Sequence, residues 1–200
     1  MKKRTIYGVL LAFLVGGCST ATPPIIEYKL TPEYNIESFK VDGCKENSLK
    51  IAKVFTQKSL ESSDMNYMIG KNKQYKFTQS IWTQSLDKAV GDELLNYLRD
   101  TKIFKSVQLF KSRSKSEYLL ETNVEKFIQH FSKDEKKSYV EVVITLTLLD
   151  VKNNRLIDSH SFSSKVESSS IDAEGGVDAL SDALGDVLTQ SGSWLSGVCR

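Results

Sequence analysis

The sequence predicts an α+β fold, a two-layer sandwich whose mainly antiparallel sheet has two helices packed on one face. Three observations predict it. Val140, Val142, Ile144, Leu146 and Leu148 occupy five alternate positions, with Glu141, Thr145 and Thr147 between them. A period of two marks a half-buried strand with one face on a core. Leu86, Val90, Leu94 and Leu98 recur at helical spacing, and Val177, Leu180, Leu184, Val187 and Leu188 form a second helical stripe. Two helices laid against such a sheet make two layers around one core.

The elements follow in chain order. A first strand is expected over 25–30 (IIEYKL), then an irregular stretch over 34–45 with Gly43 before Cys44. Leu49, Ile51 and Phe55 alternate imperfectly and predict a second strand over 48–57. Residues 65–69 and 74–79 predict a hairpin about Gly70-Lys71-Asn72-Lys73, where Gly and Asn suit a turn needing positive φ. A helix is predicted over 82–101, with Tyr97 widening its stripe and Asp87, Lys88, Asp92, Glu93, Asn96 and Arg99 on its other faces. Gly91 weakens it by about 1 kcal/mol relative to Ala.

Three or four strands come next. Residues 106–110 form a short one, and Tyr118, Leu120, Thr122 and Val124 alternate with Glu121, Asn123 and Glu125 in the next. A charge run over 133–137 (KDEKK) predicts an exposed loop before the strand at 140–148. The turn DVKNNR then sends the chain back over 156–166 as a hairpin partner. Ser168-Ser169-Ser170 leads to a second helix over 172–191, in which Ala173, Gly176, Ala179 and Ala183 allow close packing on a sheet.

The N-terminus carries a separate signal. Lys2, Lys3 and Arg4 form a basic start, residues 6–15 an apolar run of ten, and Gly16-Gly17-Cys18 a small-residue close. That layout is a secretory signal peptide, and the run is shorter than the roughly 20 residues a bilayer span needs. Residues 1–17 are therefore expected to be removed, with Cys18 the lipidated (palmitate-type) first residue of the mature chain. Residues 18–24 then form the lipidated Cys and a short tether, reaching about 20 Å at most beyond the anchor, and 25–200 form a single domain. Each buried acyl methylene contributes about 0.8 kcal/mol to anchoring. Ser19, in place of the Asp that favours inner-membrane retention in many bacteria, leans the anchor to the outer membrane, with the domain facing the periplasm.

Composition narrows the function. The full chain has 27 Lys and Arg against 25 Asp and Glu; loss of Lys2, Lys3 and Arg4 leaves 24 against 25. Nothing in that balance predicts nucleic-acid binding, which wants a clustered basic surface. Beyond Cys18 only Cys44 and Cys199 remain, an even pair in an oxidising compartment. A disulfide between them is expected, two free thiols being the alternative.

Catalytic chemistry finds little support. The only histidines are His130 and His160. Asp158, His160 and Ser161 lie too close along one strand to form a triad, and no Gly-x-Ser-x-Gly elbow is present. No spacing suits a metal ligand set, Gly175-Gly176 lacks the Lys and Ser/Thr of a phosphate loop, and no cofactor is expected. Tyr67, Tyr75, Phe77 and Trp82 cluster along the chain, either as a partner or lipid surface or as core packing and a cross-strand ladder.

The order of these landmarks resembles the auxiliary lipoproteins of ABC-type intermembrane transport systems, whose best-known branch is the paraquat-inducible transport lipoprotein. The residues that carry the resemblance begin with Tyr28-Lys29-Leu30 soon after the lipobox, and Ser80-Ile81-Trp82 closing the hairpin. Next come the helix from Leu86 to Leu98 running into Lys102-Ile103-Phe104-Lys105-Ser106-Val107, and Tyr118-Leu119-Leu120-Glu121. The strand at 140–150, Arg155-Leu156-Ile157 and a small-residue helix ending at Trp194 complete it. Ile81 stands where the family often carries Arg, and Cys44 and Cys199 are not general family features. The resemblance implies a non-catalytic component of an intermembrane lipid transporter, with phospholipid as cargo. Its partners would be an MCE-domain protein, a permease and an ATPase, and self-association into a homo-oligomer fits such a role. The membrane contact would be the lipid on Cys18. An assembly chaperone for an outer-membrane barrel, of the lipopolysaccharide-assembly type, is the alternative reading, and a secreted hydrolase a third.

Overall fold

The computed structural model describes residues 23–36, 39 and 43–199. The leader at 1–17, Cys18 and most of the tether lie outside the described residues. The described elements are β1 (Ile26–Tyr28), β2 (Ser48–Ile51), β3 (Phe55–Thr56), β4 (Asp64–Ile69) and β5 (Lys73–Trp82). They continue with helix α1 (Leu86–Asp100), β6 (Ser106–Leu109), β7 (Tyr118–Phe131), β8 (Ser138–Asp150), β9 (Arg155–Glu167) and helix α2 (Ala173–Val198). The α+β class is as predicted, with the two helices on one face of a nine-stranded sheet.

β7 is the axis of that sheet. On one side it pairs antiparallel with β8 along its whole length, from Tyr118↔Asp150 to Phe131↔Ser138, and β9 pairs antiparallel beyond β8. On the other side β2, β3 and β4 dock end to end along it, all parallel, at Leu49↔Tyr118, Phe55↔Asn123 and Tyr67↔Gln129. β6 extends the sheet from β2, while β5 and then β1 extend it from β4. The long ladders are antiparallel and the short ones parallel, so the sheet is mixed.

Local irregularities account for the differences from the sequence expectation. The predicted strand over 48–57 divides into β2 and β3, because the alternation slips between Ile51 and Val54. Leu49, Ile51 and Val54 are buried, whereas Phe55 is 62% exposed. β7 runs past Val124 to Phe131 through a bulge at Glu125, which moves the buried set from Leu120, Thr122 and Val124 to Phe127, Gln129 and Phe131. A bulge inserts one residue and switches the faces of everything after it. Gln57 Nε2 donates to the Glu125 carbonyl at 2.8 Å and so satisfies the displaced backbone.

Helix α1 starts four residues later than predicted. Trp82 is the last residue of β5, 4% exposed and edge-on to Phe127 at 6.3 Å. Helix α2 is longer than predicted and takes in Trp194 and Leu195. Its start is fixed by the Asp172 side chain, which accepts from the Gly175 amide at 2.9 Å, an N-cap that satisfies one orphan donor. Buried Gln129 locks that start to the sheet, donating to Ser138 Oγ and to the Asp172 carbonyl, both at 3.1 Å.

The core lies between the sheet and the helices. Val140, Val142, Ile144, Leu146 and Leu148 are all buried and meet α2. Leu49, Ile51, Leu98, Leu120, Leu184 and Leu188 complete its centre, each burial worth about 1.5–3 kcal/mol. The segment after β1 crosses the outside of α2: the Thr31 amide donates to Ser181 Oγ at 3.2 Å, and Tyr34 meets Tyr97 edge-on at 5.0 Å. The Glu33 carbonyl there lies 2.0 Å from where a Cβ on Gly185 would sit, so only glycine permits the crossing. At the far end Cys44 and Cys199 form a disulfide across a sequence separation of 155, with Cα atoms 5.2 Å apart. The Gly43 amide donates to the Cys199 carbonyl at 3.0 Å beside it.

Gly185→Ala drives a methyl into the Glu33 carbonyl and is expected to cost about 1–3 kcal/mol by urea unfolding. Gly197→Ala, which meets open space on the same helix, is expected to gain up to about 1 kcal/mol. Reduction, or Cys44→Ala with Cys199→Ala, is expected to lower stability by about 2–5 kcal/mol; an unchanged unfolding midpoint in reductant would contradict a bridge that constrains the chain.

Candidate partner surface

The β4–β5 hairpin gathers three of the four aromatics singled out in the sequence. Tyr67 lies opposite Tyr75 across the hairpin and opposite Gln129 across β7, so both tyrosines share the helix side of the sheet. Tyr67 stacks on Tyr75 at 5.5 Å and contacts Phe77 at 4.5 Å, and Phe131 closes the group at 5.2 Å from Tyr67. Gln129 is held to Asp172 at the start of α2, and this cluster stands at that level or beyond it, where the helix ends. Tyr75 is 41% exposed, and Tyr67 and Phe77 are half-buried. Trp82 does not join them. It is part of the hydrophobic core at the other end of β5, which corrects its placement on a partner surface. Phe131 was missed because the bulge at Glu125 hides the alternation that leads to it.

On the opposite face of the same sheet end, His130 stacks on Tyr139 at 4.8 Å, and Lys165 Nζ sits 3.7 Å from the Tyr139 ring centre. Lys126 pairs with Glu141 at 3.0 Å, while His130 Nε2 lies 3.6 Å from the other Glu141 oxygen, beyond hydrogen-bond length. Lys126, His130, Tyr139 and Glu141 line an open groove of about 440 Å³ together with Met68 and Ile128. Burial pushes the His130 imidazole below its ordinary pKa; Glu141 opposes the shift, and Lys126 and Lys165 add to it.

The turns at this pole are cationic. Residue Gly70, with φ of +66°, turns the β4–β5 hairpin as its sequence predicted, and Lys71 and Lys73 stand exposed there. The β7–β8 turn beside it exposes Lys133, Lys136 and Lys137. Between these turns and the serine link before α2 runs a second groove of about 620 Å³.

Hydrolytic chemistry has no assembled site at the residues considered for it. Asp158 accepts from the Trp194 indole at 2.8 Å, and that bond and the Ser159 amide hold its carboxyl below the usual range. His160 contacts Phe162 and Trp194 on the helix side, while Ser161, one residue on, faces the other way. Among the described residues no group of three His, Cys, Asp or Glu side chains could hold a metal, and no helix is long and apolar enough to cross a membrane.

Comparison with known proteins places this architecture. A family model described as the ABC-type transport auxiliary lipoprotein component matches residues 28–190. No curated protein matches the chain. A crystal structure of a protein from Xanthomonas campestris superposes with a TM-score of 0.77 at 18% identity, covering 86% of this chain and 95% of that one. A second, uncharacterised protein of known structure gives 0.63 at 14% identity, covering 88% and 98%. At these identities the two structures show a shared fold.

The His130 environment generates a pH prediction. Its folded pKa lies below the unfolded value near 6.5, so the fold favours the neutral ring. That contribution is complete above pH about 6.5 and is lost as pH falls through the folded value. Urea midpoints are expected to decline in that window, and His130→Gln to flatten the decline; an identical slope in the variant would remove His130 as its source.

Proposed function

We propose that this chain, which belongs to the ABC-type transport auxiliary lipoprotein component family, is the lipid-anchored, non-catalytic member of a system that moves phospholipid between the two membranes. The family match over 28–190 carries the reading. An auxiliary component of an ABC-type system works with a transporter that supplies the energy, and an MCE-domain protein with its permease and ATPase fits the intermembrane role. The lipid on Cys18 holds the domain at the periplasmic side of the outer membrane.

The physical division of labour supports this reading. The core is closed by Leu, Val and Ile from both layers, so the sheet is a rigid platform. The apolar area left uncovered at the β4–β5 hairpin is aromatic, and aromatics dominate protein–protein contact energies when a partner desolvates them. Tyr67, Tyr75 and Phe77, backed by the buried Phe131 ring, are the surface assigned to the MCE partner or to a second copy of the chain.

Affinity capture of the lipidated full chain from gently solubilised envelopes tests the proposal, with proteins identified by mass spectrometry. Recovery of an MCE-domain protein with a permease and an ATPase is the expected result; recovery of an outer-membrane barrel without them would replace it with the assembly-chaperone reading. Tyr75→Ser is expected to reduce recovery of the partner about fivefold or more, the scale of a contact worth over 1 kcal/mol, while circular dichroism shows the fold retained.

A further inference from the structure

We infer that the groove between the β4–β5 and β7–β8 turns is a docking site for the anionic headgroups of the bilayer surface, and that this pole of the domain faces the membrane. The orientation rests on the lipid-anchor reading above; the chemistry of the groove does not. Lys71, Lys133, Lys136 and Lys137 line it, with Ser168 and Ser170 among its hydroxyls and Glu167 its one acid. Asp134, in the same turn, accepts from Ser132 Oγ at 2.6 Å and is not part of the lining. The buried Ser168 Oγ has no hydrogen-bond partner among the described residues. Ile171, 54% exposed, stands at the rim. Lysines that attract phosphate, beside an apolar side chain that enters the headgroup boundary, are the composition of an interfacial contact.

Charge alone does not choose this pole. Lys50, Arg113, Lys115 and Lys152 line a groove at the opposite end, near the β8–β9 turn. The chain direction decides. β1 runs parallel to β5 with Ile26 opposite Ser80, so the N-terminal end of β1 points toward the start of β5 at Lys73 and its turn. From Ser80 back to Lys73 the strand covers about 23 Å. From Ile26 back to Cys18 the chain can reach about 26–29 Å at full extension. A lipid on Cys18 can therefore reach a bilayer at the level of the lysine turns. The negative surface potential of phospholipid acts within about a Debye length, 8–10 Å at physiological salt.

The test is amine footprinting of the lipidated full chain on vesicles of phosphatidylcholine alone and of phosphatidylcholine with phosphatidylglycerol, read by mass spectrometry. On the phosphatidylglycerol vesicles Lys71, Lys133, Lys136 and Lys137 are expected to react about fivefold more slowly, the factor of one lysine's attraction to an anionic surface. Lys50 and Lys152 are expected to be unchanged, and high salt to abolish the difference. Equal rates at both poles, or protection of the opposite pole, would overturn the inference. Protection reproduced by inorganic phosphate at matched ionic strength would also overturn it, by assigning the groove to a free anion. Lys133→Glu with Lys136→Glu and Lys137→Glu, at exposed positions, is expected to remove the protection of Lys71 with an unchanged melting temperature. Flotation separates the two readings. A chain that floats with phosphatidylcholine but shows no selective protection retains its anchor and refutes the docking site. A chain that fails to float yet is protected by phosphatidylglycerol keeps the docking site and refutes the anchor.

Discussion

β7 must satisfy hydrogen-bonding groups along both of its edges for fourteen residues, and the rest of the molecule is arranged around that requirement. An unpaired buried backbone group costs about as much as a lost hydrogen bond. One edge is met by β8, which is nearly as long and follows through a tight turn. The other has no equally long partner. Three short strands share it instead, and the chain between them steps outward and returns at each junction. Because all three run with β7, the chain that carries them ends at the same pole as the β7–β8 turn.

That polarity organises the function. The β4–β5 hairpin, the β7–β8 turn and the start of α2 meet at one end, held by the bonds of Gln129 to Ser138 and Asp172 and of Ser138 to Ser170. The disulfide and the end of α2 lie at the other. Aromatic surface on the helix side, the His130–Tyr139 stack on the reverse and the lysine turns at the tip therefore converge on a single pole. The N-terminal end of β1 points the same way.

The crossing at Gly185 shows how tightly this arrangement is set. The segment after β1 reaches α2 only because Gly185 has no side chain, and the same segment brings Tyr34 onto Tyr97. Tyr97 in turn donates to the Thr189 carbonyl at 3.4 Å, joining the two helices. β1 is thus fastened, through the segment that follows it, to the helix layer as well as to β5.

Strong periodicity was legible in the sequence. The five alternate apolar residues of β8, the stripe of α1 and the stripe of α2 each repeat over enough residues to declare their type. The Gly70 turn and the Cys44–Cys199 pairing were legible from local chemistry and compartment. The family was recognisable from the order of its landmarks, because order survives where single motifs do not. Tertiary structure alone decided the rest. β2 and β3, of four and two residues, are too short to carry a period. The bulge at Glu125 reverses the faces of β7 and conceals Phe131 and Gln129. Trp82 lies in the core at the far end of β5 from Tyr75 and its partner Tyr67, although they are near neighbours in sequence. Local pattern records which face a residue prefers, but which strands share an edge, and which end of the sheet they share, is fixed by hydrogen bonds and packing between residues distant in the chain.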